Sequence, residues 1–181
     1  MSIYQDVIIA GFGGQGVMLI GNLLAYAGME QGLNVTYIPV YGPEMRGGTA
    51  NCTVVVSAEE IGSPIIHKPK SCIVMNRPSL DKFGDRIEEN GFLILNTSLV
   101  DAELAKDLPV RIVKIPANDI ADKLGNSRMA NMVALGAYVN AAKVLPLEAV
   151  IKSLDHVISA HYSHLIPKNA AALQAGADYK G

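Results

Sequence analysis

The sequence predicts an α/β fold in which a mostly parallel, mixed sheet is followed by a helical C-terminal third. Three observations predict it. Short apolar runs, several rich in β-branched residues, recur at 7–10, 34–38, 51–57, 71–76, 92–96 and 111–115, the pattern of buried strands. A glycine-rich hexapeptide, Gly11-Phe12-Gly13-Gly14-Gln15-Gly16, joins the first run to an apolar stretch at 17–27 that suits a buried helix. From residue 116 onward the pattern turns helical. The arrangement is that of a Rossmann-like three-layer sandwich, and residues 1–181 read as a single domain with ample size for its own core.

The glycines fall at a strand-to-helix turn. There they permit positive φ and close backbone approach. The free N–H groups of the helix that follows, with the positive end of its dipole behind them, would suit an anion or phosphate. Tight packing of helix on strand is the competing reason for the same glycines. The spacing of Gly11, Gly13 and Gly16 matches the dinucleotide fingerprint. That fingerprint also needs an acid at the end of the second strand to hold the ribose. Here the strand at 34–38 is followed by Pro39, Val40 and Tyr41, so the acid is missing.

The next segment, 40–50, is dense in turn formers yet carries Tyr41, Glu44, Arg46, Gly47 and Gly48. Arg46 offers a planar fork suited to phosphate or carboxylate. In a doubly wound sheet this loop leaves the same edge as the 11–16 turn. The connection is too short and irregular for a helical crossover, so the strand at 51–57 is expected to pair antiparallel.

Residues 58–64 read as a turn and 65–67 as a short strand or extended piece. After the strand at 71–76, Arg77-Pro78 opens a short helix reaching Phe83, with proline in its first turn. A second helical turn at 85–90 is closed by Asn90-Gly91. Between the strands at 92–96 and 111–115 lies a loop with at most one short helix at 102–106. A helix at 118–124 ends at Gly125, and Asn126 or Ser127 caps another at 129–139. Residues 147–159 form an amphipathic helix with Val150, Ile151, Leu154 and Ile158 on one side. The Ala-rich tail at 167–179 is expected to end in a helix that frays.

Hydrophobic residues make up 50% of the chain and charged ones 18%, which points to a large core and to a surface partly covered by other subunits. No apolar run reaches the ~18 residues a bilayer span requires, and the first residues lack a signal-peptide pattern. A cytoplasmic chain with no membrane partner is the expectation. A net charge of −2 gives no field that would draw nucleic acid. Cys52 and Cys72 make no disulfide framework and fall short of the ~4 cysteines an iron–sulfur cluster needs. His161 and His164 have a metal-sharing spacing but no third ligand nearby, and read as surface histidines. No nucleophile elbow, phosphate loop or self-contained catalytic constellation is present.

Two long motifs carry a resemblance. The stretch from Asp6 through Gly11-Phe12-Gly13-Gly14-Gln15-Gly16-Val17 resembles the opening of the gamma subunit, or gamma domain, of 2-oxoacid:ferredoxin oxidoreductases. Tyr41-Gly42-Pro43-Glu44-Met45-Arg46-Gly47-Gly48-Thr49-Ala50-Asn51-Cys52 resembles that family's second signature, and Ile61-Gly62-Ser63-Pro64 and the segment from Gly125 to Ala137 also fit. The wording is most similar to the 2-oxoglutarate type, with the pyruvate, branched-chain and indolepyruvate types open.

The resemblance implies a complex that oxidatively decarboxylates a 2-oxoacid with coenzyme A to acyl-coenzyme A and carbon dioxide, reducing ferredoxin. It implies thiamine diphosphate, Mg2+ and [4Fe-4S] clusters on sibling alpha, beta and delta subunits, and no cofactor on this chain alone. It gives Gly11, Gly13, Gly14, Gln15 and Gly16 a cofactor-binding role. Tyr41, Glu44, Arg46, Gly47 and Gly48 would face a sibling subunit or the coenzyme A path. No residue is assigned to proton transfer. A free-standing nucleotide-binding oxidoreductase and a purely structural interaction module remain as alternatives.

Overall fold

A computed structural model describes residues 3–40 and 49–181. Six strands form one sheet: β1 (Tyr4–Phe12), β2 (Asn34–Val40), β3 (Thr49–Ser57), β4 (Ser71–Val74), β5 (Phe92–Asn96) and β6 (Arg111–Ile115). Their order across the sheet is β2-β3-β1-β4-β5-β6. β1, β4, β5 and β6 run parallel. β3 lies antiparallel between β1 and β2, as the short connection before it predicts. The α/β class and the mixed, mostly parallel sheet therefore hold.

Alternation along the strands divides the core in two. Val7 and Ile9 of β1, Ile73 after them on β4, and Ile94 on β5 face one layer; Ile8, Ala10, Cys72, Val74, Leu93 and Leu95 face the other. The first layer is the larger. It is built from α1 (Val17–Glu30), α3 (Ala117–Lys123), α4 (Ala130–Ala142), the short α5 (Leu147–Lys152) and α6 (Leu154–Val157), and α7 (Ile166–Asp178). On the opposite face, α2 (Arg77–Phe83) places Leu80 and Phe83 over β1 and β4, joined by Ile87, Val100 and Ala105 from irregular segments.

The short parallel strands make the sheet's centre dry. All of β4 is buried, as the unbroken apolar run leads one to expect of a strand covered on both faces. α1 is buried at eight positions spread round its circumference, because β2, β3 and the later helices all press on it. Small residues allow this: a side chain at Gly21 would meet Cys52 and Tyr37, and one at Gly28 would meet Val35 and Val56.

Two expectations need correction. The helical turn expected at 85–90 shrinks to a 3-10 turn at Gly84–Arg86, since Ile87 already returns to extended backbone. The amphipathic helix at 147–159 is split into α5 and α6 at Ser153, and Ile158 leaves the helical region altogether. The C-terminal helix expected at 167–179 is present as α7, seated on α4 through paired glycines. The missing side chain of Gly136 faces the backbone of Leu173 and Ala177, and that of Gly176 faces the backbone of Val133. Residues 65–67 form no strand.

Among the described residues no helix is long and apolar enough to cross a membrane.

Candidate functional site

β1 and β4 are parallel neighbours from which the chain leaves in opposite directions: from β1 toward β2 at one edge, from β4 toward β5 and β6 at the other. In an open α/β sheet the crevice outside the carboxyl ends of such strands is the usual ligand position. The 11–16 turn stands there.

Each glycine in the turn has its own reason. A side chain on Gly11 would come within 2.7 Å of Gln15 Oε1, 2.9 Å of Val17 and 3.0 Å of Met75. Gly11 is thus dictated by packing. Gly14 and Gly16 have φ of +91° and +71°, a region that costs other residues strain. Gly14 faces open space, and Gly13 beside it is exposed. Gly16 is the N-cap of α1, yet no side chain caps the helix. The first N–H groups of α1 have no intrahelical partners by construction, so the positive end of a 14-residue helix stands beside the turn.

The turn is fastened by amides. Gln15 N–H donates to Phe12 O at 3.1 Å, closing it. Gln15 Oε1 accepts from Phe12 N at 2.6 Å and from Asn76 Nδ2 at 3.1 Å, while Gln15 Nε2 donates to Met75 O at 3.3 Å. Asn96, fully buried, donates from Nδ2 to Met75 O at 3.2 Å and to Asn118 Oδ1 at 2.8 Å, and accepts from Ala117 N at 3.1 Å. From the other side Asn131 Nδ2 donates to Gly16 O at 3.2 Å. The network joins β4, β5, α3 and α4 to the turn.

A pocket of about 200 Å³ opens there, lined by Gly14, Gln15, Met75, Asn118, Arg128 and Asn131 among others. Arg128 is exposed and, among the described residues, pairs with no carboxylate. Arg128 and Asn131 also line an adjoining, more apolar groove of about 580 Å³, walled by Leu19, Met129, Ile158 and Tyr162. The small pocket falls below the ~300–1,000 Å³ of ordinary ligand sites, which suits one charged end of a longer molecule. Among the described residues, its lining holds neither a carboxylate nor a histidine.

The five glycine-turn positions therefore come together at one edge. Gln15 is the exception in kind, because its amide is already engaged with the chain itself. Tyr41, Glu44, Arg46, Gly47 and Gly48 lie outside the described residues. Sequence reasoning did not single out Arg128, Asn118, Asn96 or Asn76. A signal existed in Asn126, whose Oδ1 accepts from Arg128 N at 3.1 Å and turns the chain there toward the crevice.

Other candidates lie elsewhere. Cys52 faces the larger core layer and Cys72 the smaller, so the sheet separates them, and burial pushes each thiol up to about 12. His161 and His164 are exposed on a 3-10 turn, and no metal-sized group of three ligands occurs among the described residues.

Comparison with known proteins agrees with this architecture. The chain is 36% identical over 173 residues to ketoisovalerate oxidoreductase subunit VorA of Methanothermobacter marburgensis, a match covering 96% of this chain and 36% of that one. The chain thus spans about a third of the length of this relative. It is 32% identical over 182 residues to 2-oxoglutarate synthase subunit KorC of Methanothermobacter thermautotrophicus, covering 97% of this chain and 95% of KorC. The crystal structure of a keto/oxoacid ferredoxin oxidoreductase gamma subunit from Geobacter sulfurreducens superposes with a TM-score of 0.78 at 26% identity, over 96% of each chain. The family model for pyruvate ferredoxin/flavodoxin oxidoreductase matches residues 6–179, and the chain belongs to that family.

Proposed function

We propose that the chain is a gamma-type subunit of a 2-oxoacid:ferredoxin oxidoreductase, inactive alone, whose 11–16 turn forms part of the coenzyme A path. The observation that carries the reading is the amide-locked turn beside the uncapped end of α1, facing Arg128, which pairs with no carboxylate among the described residues. A phosphate of coenzyme A would meet the helix N–H groups and the guanidinium, and a less polar part of the molecule would follow the adjoining groove. The residues here bind and orient. Gly14 keeps the approach open and Gln15 keeps the turn in shape.

Redox chemistry is assigned to sibling alpha, beta and delta subunits. This chain does not fit an iron–sulfur cluster, because its two thiols are buried on opposite faces of the sheet. Thiamine diphosphate and Mg2+ belong with the siblings in the same reading, and ferredoxin would meet the complex through them.

For the acid itself, 2-oxoglutarate is favoured by KorC, a relative of nearly the same length as this chain. A branched-chain acid is the second reading, favoured by the higher identity to VorA.

The test is anaerobic capture of the tagged chain from its own cells, with the eluate assayed for coenzyme A-dependent reduction of an acceptor by several 2-oxoacids. Partner chains and activity eluting together are expected, and the preferred acid decides between the two substrates. Decarboxylation by the chain alone would overturn the subunit reading. In the assembled complex, Arg128→Ala should raise the coenzyme A KM several-fold with kcat little changed, the pattern of lost uniform binding. Unchanged coenzyme A kinetics would move the binding role off this pocket.

A further inference from the structure

We infer that Asn131 is a positioning residue that holds the glycine turn in its ligand-ready shape from the head of α4, 115 positions away along the chain. The inference rests on the reading of that turn as part of the coenzyme A path.

Gly16 must be left-handed to start α1 where it does, and nothing in its own neighbourhood enforces that conformation. It has no side chain, and α1 has no side-chain cap. Glycine visits both signs of φ with little bias. The constraint comes instead from 115 residues away. Asn131 Nδ2 donates to Gly16 O at 3.2 Å, and the same amide occupies the space where a side chain on Gly16 would stand. Gly16 O also accepts from Ile20 N at 3.2 Å, the first ladder bond of α1. One carbonyl therefore receives both the helix and the bolt.

The bolt is itself fixed. Asn131 is 4% exposed, and its Oδ1 accepts from Met132 N at 2.9 Å at the head of α4. That first turn of α4 is anchored in the larger core by Met129, Ala130 and Met132. A shift of the head of α4 is thus transmitted to the turn. Gln15 pins the other side of the loop to β4 through Met75 and Asn76. With Asn131 removed, the turn is fastened on one side only, and the N–H groups aimed into the crevice lose their fixed direction.

Two variants test this. Asn131→Ala removes the donor and opens the space beside Gly16. Asn131→Asp keeps the volume and the acceptor for Met132 N while removing the donor, so it remains informative should the alanine variant fail to fold. Amide hydrogen exchange is measured on the full chain, and coenzyme A kinetics in the assembled complex. Loss of one net hydrogen bond corresponds to about fivefold. Expected is about fivefold faster exchange confined to residues 14–20, with a coenzyme A KM raised about fivefold, and kcat and the 2-oxoacid KM unchanged. Local exchange raised without any change in coenzyme A KM would support Asn131 as the holder of the turn and overturn the coenzyme A reading instead. Unchanged exchange at 14–20 in both variants would overturn the inference, as would exchange raised uniformly along the chain.

Discussion

At the scale of single residues, the glycine turn shows that identical residues serve different ends. Gly14 and Gly16 both have positive φ, but Gly14 faces open space while Gly16 faces the Asn131 amide. An alanine at Gly14 meets only backbone strain, about 1–2 kcal/mol. At Gly16 it meets that strain and a blocked site. Thermal unfolding should therefore fall by more for Gly16→Ala than for Gly14→Ala. In the complex Gly14→Ala should still raise the coenzyme A KM, because its methyl projects into the pocket. Equal melting losses would show that the Asn131 amide yields freely. The spacing Gly11, Gly13 and Gly16 was legible in the sequence as a strand-to-helix turn. The amides that fasten it were not. Gln15, Asn76, Asn96 and Asn131 look like ordinary polar residues in the chain, and the partners that fasten the turn are set by tertiary approach across 21 to 115 positions.

Among elements, legibility followed how local the deciding physics is. α2 runs Arg77–Phe83, the span that Asn76, Pro78 and the following apolar residues mark out. The Asn76 side chain accepts from Ser79 N, and proline sits in the first turn. β5 and β6 match their apolar runs residue for residue. The antiparallel β3 followed from connection length alone. The span of α7 was legible too, within one residue at each end, but what seats it was not. Its sequence is Ala-rich and weakly patterned, and what holds it is shape: Gly136 and Gly176 let two backbones meet, with Leu173 and Ala172 fully buried. Lengthening either glycine must push the helices apart. Gly136→Val is expected to cost at least the ~1–3 kcal/mol typical of overpacking, read as a lowered melting temperature. Limited proteolysis should then cut first near residues 166–178. A melting temperature equal to the parent's would mean that α7 is not seated where described.

For the whole molecule, the two ends of the sheet do separate work. The carboxyl edge carries the turn and the pocket, and the amino edge carries a buried polar cluster that ties the strand ends together. There Asp6 is 3% exposed and accepts from Lys70 N at 2.6 Å, while Ser71 Oγ donates to Asp6 O at 2.6 Å and Gln5 Nε2 donates to Ser71 Oγ at 3.1 Å. These bonds tie β1 to the end of the irregular segment 58–70 and to β4. Burial raises the Asp6 carboxyl above its ordinary 3.8, and the Lys70 N–H and the Tyr4 hydroxyl only partly offset that; Glu88 adds to the rise and the Lys70 charge opposes it. The sign follows from proton linkage. The folded chain holds this proton more tightly than the unfolded chain does, so its contribution to stability is largest in acid and is lost as pH rises through the raised value. At neutral pH the buried charge opposes folding. Asp6→Asn keeps an oxygen for Lys70 N and carries no charge. The variant should melt above the parent at neutral pH, and the gap should close as the pH is lowered through the carboxylate range. Because Asp6 stands at the opposite end of β1 from Gly11, the coenzyme A KM of the complex should not change. A variant that melts below the parent at neutral pH would show that the charged carboxylate is compensated in place. A changed coenzyme A KM would show instead that the two edges are coupled through β1, and that the turn is tuned by the strand that carries it.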